Sequence, residues 1–263
     1  IPRSEFEPAT IRRKMEANPF IREVLAKNPD VKPRVLTITQ STYDGILYNV
    51  EEIKSLLDGE IETLHFDEAW LPHAAFHDFY GDYHAIGEGR PRCDTSMVFS
   101  TQSTHKLLAG ISQASQILVQ DANNNKLDTN LFNEAYLMHT STSPQYAIIA
   151  SCDVAAAMME APGGTALVEE SLDEALEFRR AMRKVDDEYG ADWWFKVWGP
   201  DDLTDEGLDH RDAWMLHADE NWHGFGPIAE GFNLLDPIKA TILTPGLNVD
   251  GNFSDSGIPA AIV

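Results

Sequence analysis

One pattern constrains this chain more than any other: two apolar runs separated by a single helical stretch. Residues 34–39, centred on Val35-Leu36-Thr37-Ile38-Thr39, are apolar and β-branched, which predicts a buried strand. The run breaks at Ser41-Thr42-Tyr43-Asp44-Gly45, and residues 50–57 resume with apolar positions at helical spacing. Residues 61–67 then form a second strand pattern that ends in the carboxylate of Asp67. Strand, helix and strand at this separation predict a βαβ unit, hence parallel pairing and an α/β domain. Ligands of such sheets bind beyond the carboxyl ends of the strands, so Asp67 and the 41–45 loop are expected to face one crevice.

The rest of the chain continues the same alternation. Residues 10–17 predict a short polar helix ending near Asn18-Pro19, and residues 71–92 are loop-rich. Met97-Val98-Phe99 is a further strand that feeds a helix over 107–111, and residues 115–120 are another strand. Helices are expected over 132–138 and 148–159, the second closed by Pro162-Gly163-Gly164. Ser171-Leu172-Asp173-Glu174 resembles a capping box within a long amphipathic stretch, whose Leu172, Ala175, Leu176, Met182 and Val185 share one face. Extended runs are expected at 193–198, 214–217 and 238–244, with an acidic loop over 201–212. No internal repeat or low-complexity segment interrupts the pattern.

A net charge of −23 opposes binding to nucleic acid and favours a cationic substrate or a basic partner. The two cysteines, Cys93 and Cys152, are not spaced as a metal pair or a disulfide framework. No run reaches membrane-spanning length and no signal pattern opens the chain, so a cytoplasmic setting with no membrane partner is expected. The opening Ile1-Pro2-Arg3 and the closing apolar residues lead us to expect an internal piece of a longer protein.

The chemistry concentrates in Ser100-Thr101-Gln102-Ser103-Thr104-His105-Lys106, which runs from an apolar strand into a helical stretch. A lysine at such a junction, preceded by hydroxyls and a histidine, is placed to form an imine with an aldehyde cofactor, pyridoxal 5′-phosphate. Such enzymes also need an acid partner for the pyridine nitrogen and donors for the phosphate. Asp67 is the candidate acid, closely followed by Trp70; opposite charges at about 4 Å interact by roughly 4 kcal/mol at an effective dielectric near 20. Ser103 and His105 are candidate phosphate donors. Each has a plainer alternative: a strand-end aspartate commonly anchors a loop, and Ser103 is equally suited to cap a helix. The rival site is His73-Ala74-Ala75-Phe76-His77, where histidines at i and i+4 share a metal if helical, but the glutamate of HExxH is absent. Gly224, Gly226 and Gly231 do not form GxGxxG, and Trp222-His223-Gly224-Phe225 reads first as aromatic packing.

Several segments resemble the bacterial ornithine/lysine/arginine decarboxylase family, in family order and along nearly the whole chain. They are Ser41 to Gly45, His65-Phe66-Asp67-Glu68-Ala69-Trp70, Ser103-Thr104-His105-Lys106-Leu107-Leu108, Ser112-Gln113-Ala114-Ser115, Phe132-Asn133-Glu134-Ala135-Tyr136, His139 to Pro144, Trp222 to Phe225 and Leu235-Asp236-Pro237-Ile238-Lys239. The resemblance implies the large domain of an aspartate-aminotransferase-like, pyridoxal-phosphate-dependent enzyme. The carboxy-terminal part of that domain would occupy residues 1–240, with 241–263 starting the connection to a carboxy-terminal domain. By the same resemblance, Lys106 matches the imine lysine, Asp67 the pyridine-nitrogen acid, Ser103 and His105 the phosphate side and Trp70 a cofactor-side tryptophan. Ser141 matches a hydroxyl offered across a dimer interface. The implied assembly is a homodimer sharing active sites, extending in relatives to a decameric ring of dimers. The phosphate-cradling loop and the histidine stacked on the ring would lie upstream of Ile1. The implied activity is decarboxylation of a basic L-amino acid, in the service of polyamine supply and acid tolerance. Lysine, giving cadaverine, is placed first; arginine, giving agmatine, second; ornithine, giving putrescine, third. A non-catalytic scaffold that keeps the fold and its oligomer interface is the alternative of a different class.

Overall fold

The computed structural model describes residues 1–193, 195–199, 207–208, 210–220, 222–247 and 253–259. In chain order the helices are α1 (Pro8–Ala17), α2 (Pro19–Lys27), α3 (Val50–Leu57), α4 (Thr104–Leu107), α5 (Thr129–His139), α6 (Tyr146–Met159) and α7 (Gly163–Tyr189). The strands are β1 (Val35–Thr39), β2 (Ile46–Tyr48), β3 (Thr63–Asp67), β4 (Met97–Gln102), β5 (Gln116–Gln120), β6 (Lys196–Val197), β7 (Asn233–Leu235), β8 (Ile242–Leu247) and β9 (Phe253–Pro259). They divide into two compact units, residues 1–40 with 49–165 and residues 41–48 with 166–263.

The first unit is built on a four-stranded sheet of order β1-β3-β4-β5. The two pairings β1/β3 and β3/β4 are parallel, as the βαβ pattern requires, and β4/β5 is antiparallel. Helix α3 forms where the spacing predicts it: the Asn49 side chain caps the Glu52 N–H at 2.9 Å, and Val50, Ile53 and Leu57 are fully buried. With Leu64, Phe66 and Val98 they make a core in which each side chain contributes roughly 1.5–3 kcal/mol.

Three local expectations are corrected in this unit. The helix ending at Asn18-Pro19 is followed at once by a second, because Asn18 accepts from the Phe20 and Ile21 N–H groups and Pro19 takes the first helical position. Strand β1 is half-exposed rather than buried, with Val35 58% exposed, because it forms one edge of the sheet among the described residues. The helix expected over 107–111 is instead the single turn α4. Leu108 closes it on the Thr104 carbonyl, and the chain folds back so closely that a Cβ on Gly110 would lie 3.2 Å from the Thr104 carbonyl carbon.

In the second unit β2 pairs antiparallel with β7, and β6, β8 and β9 form a three-stranded sheet. Ser171 lies inside α7 and donates to the Leu167 carbonyl at 2.9 Å, so it is not a cap. The amphipathic face holds, with Leu172 and Leu176 buried, and it continues to Arg179. The Arg179 guanidinium donates to the Trp198 and Lys239 carbonyls at 3.0 and 3.2 Å, and burial lowers its pKa to about 10. Strand structure over 193–198 is confined to β6, and Trp194 is outside the described residues. The acidic loop falls partly outside them as well, at 201–206 and 209. The run expected over 214–217 begins inside a 3₁₀ turn, Arg211–Trp214, and its extended part is the isolated bridge of Met215 to Leu234.

Candidate active site

The site is built on the carboxyl ends of β3 and β4. Register sets Thr39, Asp67 and Thr101 opposite one another, and Thr37 opposite His65. Paired residues share a face, so Asp67, His65 and Thr101 point to the half-open side, whereas Leu64, Phe66, Val98 and Ser100 point into the buried side. His65 ties three strands together on the open face: Nδ1 is 3.2 Å from Thr37 Oγ1 and Nε2 is 3.1 Å from Thr101 Oγ1. Helix α5 lies on this face too, through Phe132 against Phe99 at 6.2 Å between centroids.

Asp67 uses Oδ1 to accept the Ala69 N–H at 3.2 Å. The loop-anchor role weighed against catalysis is therefore real but engages one oxygen, leaving Oδ2 for a ligand. The turn that follows delivers Trp70. Across from it, β4 ends at Gln102, and Ser103 opens α4 without making a side-chain cap, so its hydroxyl is not committed to the helix. The His105 ring is fixed by the Ala114 carbonyl, which accepts from Nδ1 at 2.6 Å and directs Nε2 elsewhere. That carbonyl is presented by a tight turn in which Gln113 takes φ 77°, a left-handed conformation uncommon for a side-chain-bearing residue.

Lys106 is exposed, and its Nζ lies 4.7 Å from the centre of the Trp70 ring. An exposed cation over an indole contributes about 0.5–1 kcal/mol. The contact joins the segment after Asp67 to the segment after β4; Asp67 and Trp70 lie at and just after the end of β3, and Ser103, His105 and Lys106 just after the end of the adjacent β4. Ser141 does not join them: it is exposed after α5 and makes a local turn with Ser143. The donor set (an accessible amine, a carboxylate, an aromatic face, an uncapped hydroxyl and an imidazole nitrogen) fits pyridoxal phosphate.

The histidine pair does not form the geometry of a metal site. Residues Pro72–Phe76 are a 3₁₀ turn, not an α-helix; His73 Nε2 is 3.1 Å from the Tyr80 hydroxyl, and His77 Nδ1 accepts the Phe79 N–H. His84 is buried and its pKa falls to about 4. Trp222, His223 and Phe225 do pack as an aromatic cluster with Trp198, whose ring centre is 5.1 Å from that of Trp222.

A residue not singled out from sequence stands immediately behind Asp67. Glu68 is fully buried and accepts from the Ala85 N–H at 2.6 Å, Ser100 Oγ at 2.5 Å and Gln102 Nε2 at 3.0 Å. Burial pushes its pKa up and these bonds oppose the rise. Strand alternation carried one position past β3 places this carboxylate on the apolar face of Leu64 and Phe66, and that was the available signal.

Residues 1–263 match a family model described as the Orn/Lys/Arg decarboxylase major domain. The chain is 51% identical, over its whole length, to lysine decarboxylase LdcA of Pseudomonas aeruginosa, of which it covers 34%. It is 40% identical over 98% of its length to the biodegradative arginine decarboxylase of Escherichia coli, covering 36% of that protein. The solved structure of lysine decarboxylase A from Pseudomonas aeruginosa superposes with a TM-score of 0.84 at 51% identity, over all of this chain and 34% of that one. The chain thus spans about a third of the length of the relatives it matches.

Proposed function

Because the chain belongs to the Orn/Lys/Arg decarboxylase family, we propose that the protein it forms part of decarboxylates a basic L-amino acid, with lysine as substrate, using pyridoxal phosphate held by Lys106. The observation that carries this is the Lys106 amine 4.7 Å from the Trp70 ring, on a strand end paired with the one that closes in Asp67. When bound, the cofactor supplies an electron-accepting ring that stabilises the charge left as the α-carboxylate departs. Asp67, with Oδ2, would serve as the acid partner of the ring nitrogen, and Lys106 would be the amine that holds the cofactor. Trp70 would pack beside that amine, while Ser103 Oγ and His105 Nε2 would donate to the phosphate. Net, the reaction releases CO2, leaves the diamine and takes up one proton. The greater identity to a protein named a lysine decarboxylase supports lysine ahead of arginine.

The same reading assigns a second copy to the site. Helices α5 and α6 present Leu131, Met138, Tyr146, Ile149 and Val154 at 53–80% exposure, with Ser141 in the loop between them. A homodimer would cover this apolar surface and bring Ser141 to the neighbouring phosphate. The competing scaffold reading retains the surface but not the amine chemistry. Borohydride treatment of the full-length holoenzyme separates the two: the label fixes on Lys106 and is lost in Lys106→Ala, and amine release is fastest from lysine. An unlabelled Lys106 in a protein that still assembles would establish the scaffold instead.

A further inference from the structure

Glu68 is not used by the chemistry proposed above, yet it is buried at high cost: removing a carboxylate from water is unfavourable unless its bonds are complete. Its bonds reach two separate segments, the loop after Trp70 and strand β4. The Ala85 N–H belongs to the loop after Trp70, Ser100 and Gln102 belong to β4, and the Glu68 backbone N–H extends the parallel ladder to the Thr101 carbonyl at 2.9 Å. The relay continues, because Gln102 Oε1 accepts from Gln116 Nε2 on β5 at 2.7 Å. Among the described residues no cation pairs directly with the carboxylate; Lys54 acts on it only at longer range.

Position in the chain gives this network its meaning. Glu68 follows Asp67 directly and points to the opposite face, and Gln102 directly precedes Ser103, where the turn bearing His105 and Lys106 begins. The Glu68–Gln102 bond therefore locks the segment holding the acid to the segment holding the amine. Resting on the decarboxylase reading, we propose that Glu68 is a positioning residue. Through Gln102 it sets the separation of Asp67 and Lys106, and so the gap in which the cofactor ring is gripped.

The test uses full-length holoenzyme carrying Glu68→Gln, Gln102→Glu, or both. In Glu68→Gln, with Gln102 and Gln116 oriented as in the wild type, either orientation of the new amide sets donor against donor, at Gln102 or at the Ala85 N–H, and relief requires both glutamines to turn over. The double variant restores a carboxylate–amide pair with the roles exchanged: the amide oxygen at position 68 accepts from Ala85, and the carboxylate at position 102 accepts from that same amide and from Gln116. The expected result is a fall in kcat of about tenfold with KM within about threefold. The pH midpoint of the visible cofactor band should move and cofactor release should quicken in both single variants, and all four readouts should recover in the double. An unchanged band midpoint and release rate in the single variants overturns the proposal. So does a double variant no better than its parents, since the effect would then not run through the Glu68–Gln102 bond; a purely structural role would leave the band midpoint and release rate of the folded single variants unchanged. If Glu68→Gln does not fold, Ser100→Ala and Gln102→Glu carry the same readouts: a moved midpoint with faster release supports the proposal, and unchanged values overturn it. Lys106→Ala separates the failures: cofactor still fixed by borohydride in that variant removes the decarboxylase reading itself. Loss of the label with silent Glu68 variants removes only this inference.

Discussion

Replacing Asp58 by asparagine should destabilise the first unit in a pH-dependent way, and the structure gives the size. Asp58 closes α3 and accepts four bonds from the segment that leads into β4: the Asp94 N–H at 2.6 Å, the Thr95 N–H at 3.0 Å, Thr95 Oγ1 at 2.9 Å and the Ser96 N–H at 2.9 Å. Partial burial works to raise its pKa, but these donors outweigh it and hold the carboxyl at about 2, down from 3.8. At 1.36 kcal/mol per pH unit the difference corresponds to roughly 2.4 kcal/mol. The side chain is partly exposed, and solvent screening brings the expectation to about 1–2 kcal/mol. Because the folded pKa is depressed, the stabilisation is complete above the unfolded value and is lost as pH falls through the folded one. About half should remain at pH 3 and less than a quarter at pH 2. Urea unfolding of the wild type and Asp58→Asn at pH 7, 4.5 and 3, followed by hydrogen exchange of amides in the first unit, reads this. Equal stabilities at pH 7 would refute the reasoning. A penalty of the same size at pH 3 would assign the effect to shape and not to charge.

Three further outcomes follow from the same geometry. Trp70→Ala removes a contact of about 0.5–1 kcal/mol and should weaken cofactor binding about two- to fivefold in a spectrophotometric titration. His217 has Nδ1 2.8 Å from Glu230 and Nε2 3.1 Å from the Asp212 carbonyl; desolvation lowers its pKa, but these acceptors and nearby Glu220 raise it overall. The stabilisation this gives is complete below the unfolded histidine value and fades as pH rises through the folded one, so Glu230→Gln should lower the His217 midpoint in an NMR titration. Under the proposed homodimer, Met138→Asp with Ile149→Asp places charge on the apolar surface of α5 and α6 and should raise the dissociation constant at least tenfold in sedimentation, about 1.4 kcal/mol or more; unchanged assembly would refute that surface as the interface.

That Asp67 ends one strand and that Ser103, His105 and Lys106 follow the next was legible because strand-end position is a local property. A run of β-branched residues and the helix that follows it decide which side chains emerge at the carboxyl edge of a parallel sheet. Helix α3 and strands β1, β3, β4 and β5 were legible for the same reason. Local sequence could not separate a capping Ser103 from a free one, since that depends on where the chain folds after Leu108 and on the close approach at Gly110. Nor could it show β2 pairing with β7, because Ile46 and Leu235 are joined only by long-range hydrogen bonding. The Lys106–Trp70 contact and the Glu68 relay likewise exist only because β3 and β4 are adjacent in register. Sequence by itself determined the α/β class and which groups stand at the strand ends, since periodicity and side-chain chemistry are written residue by residue. Tertiary structure alone decided which of those groups face one another, because pairing in a parallel sheet joins residues that the chain keeps more than thirty positions apart.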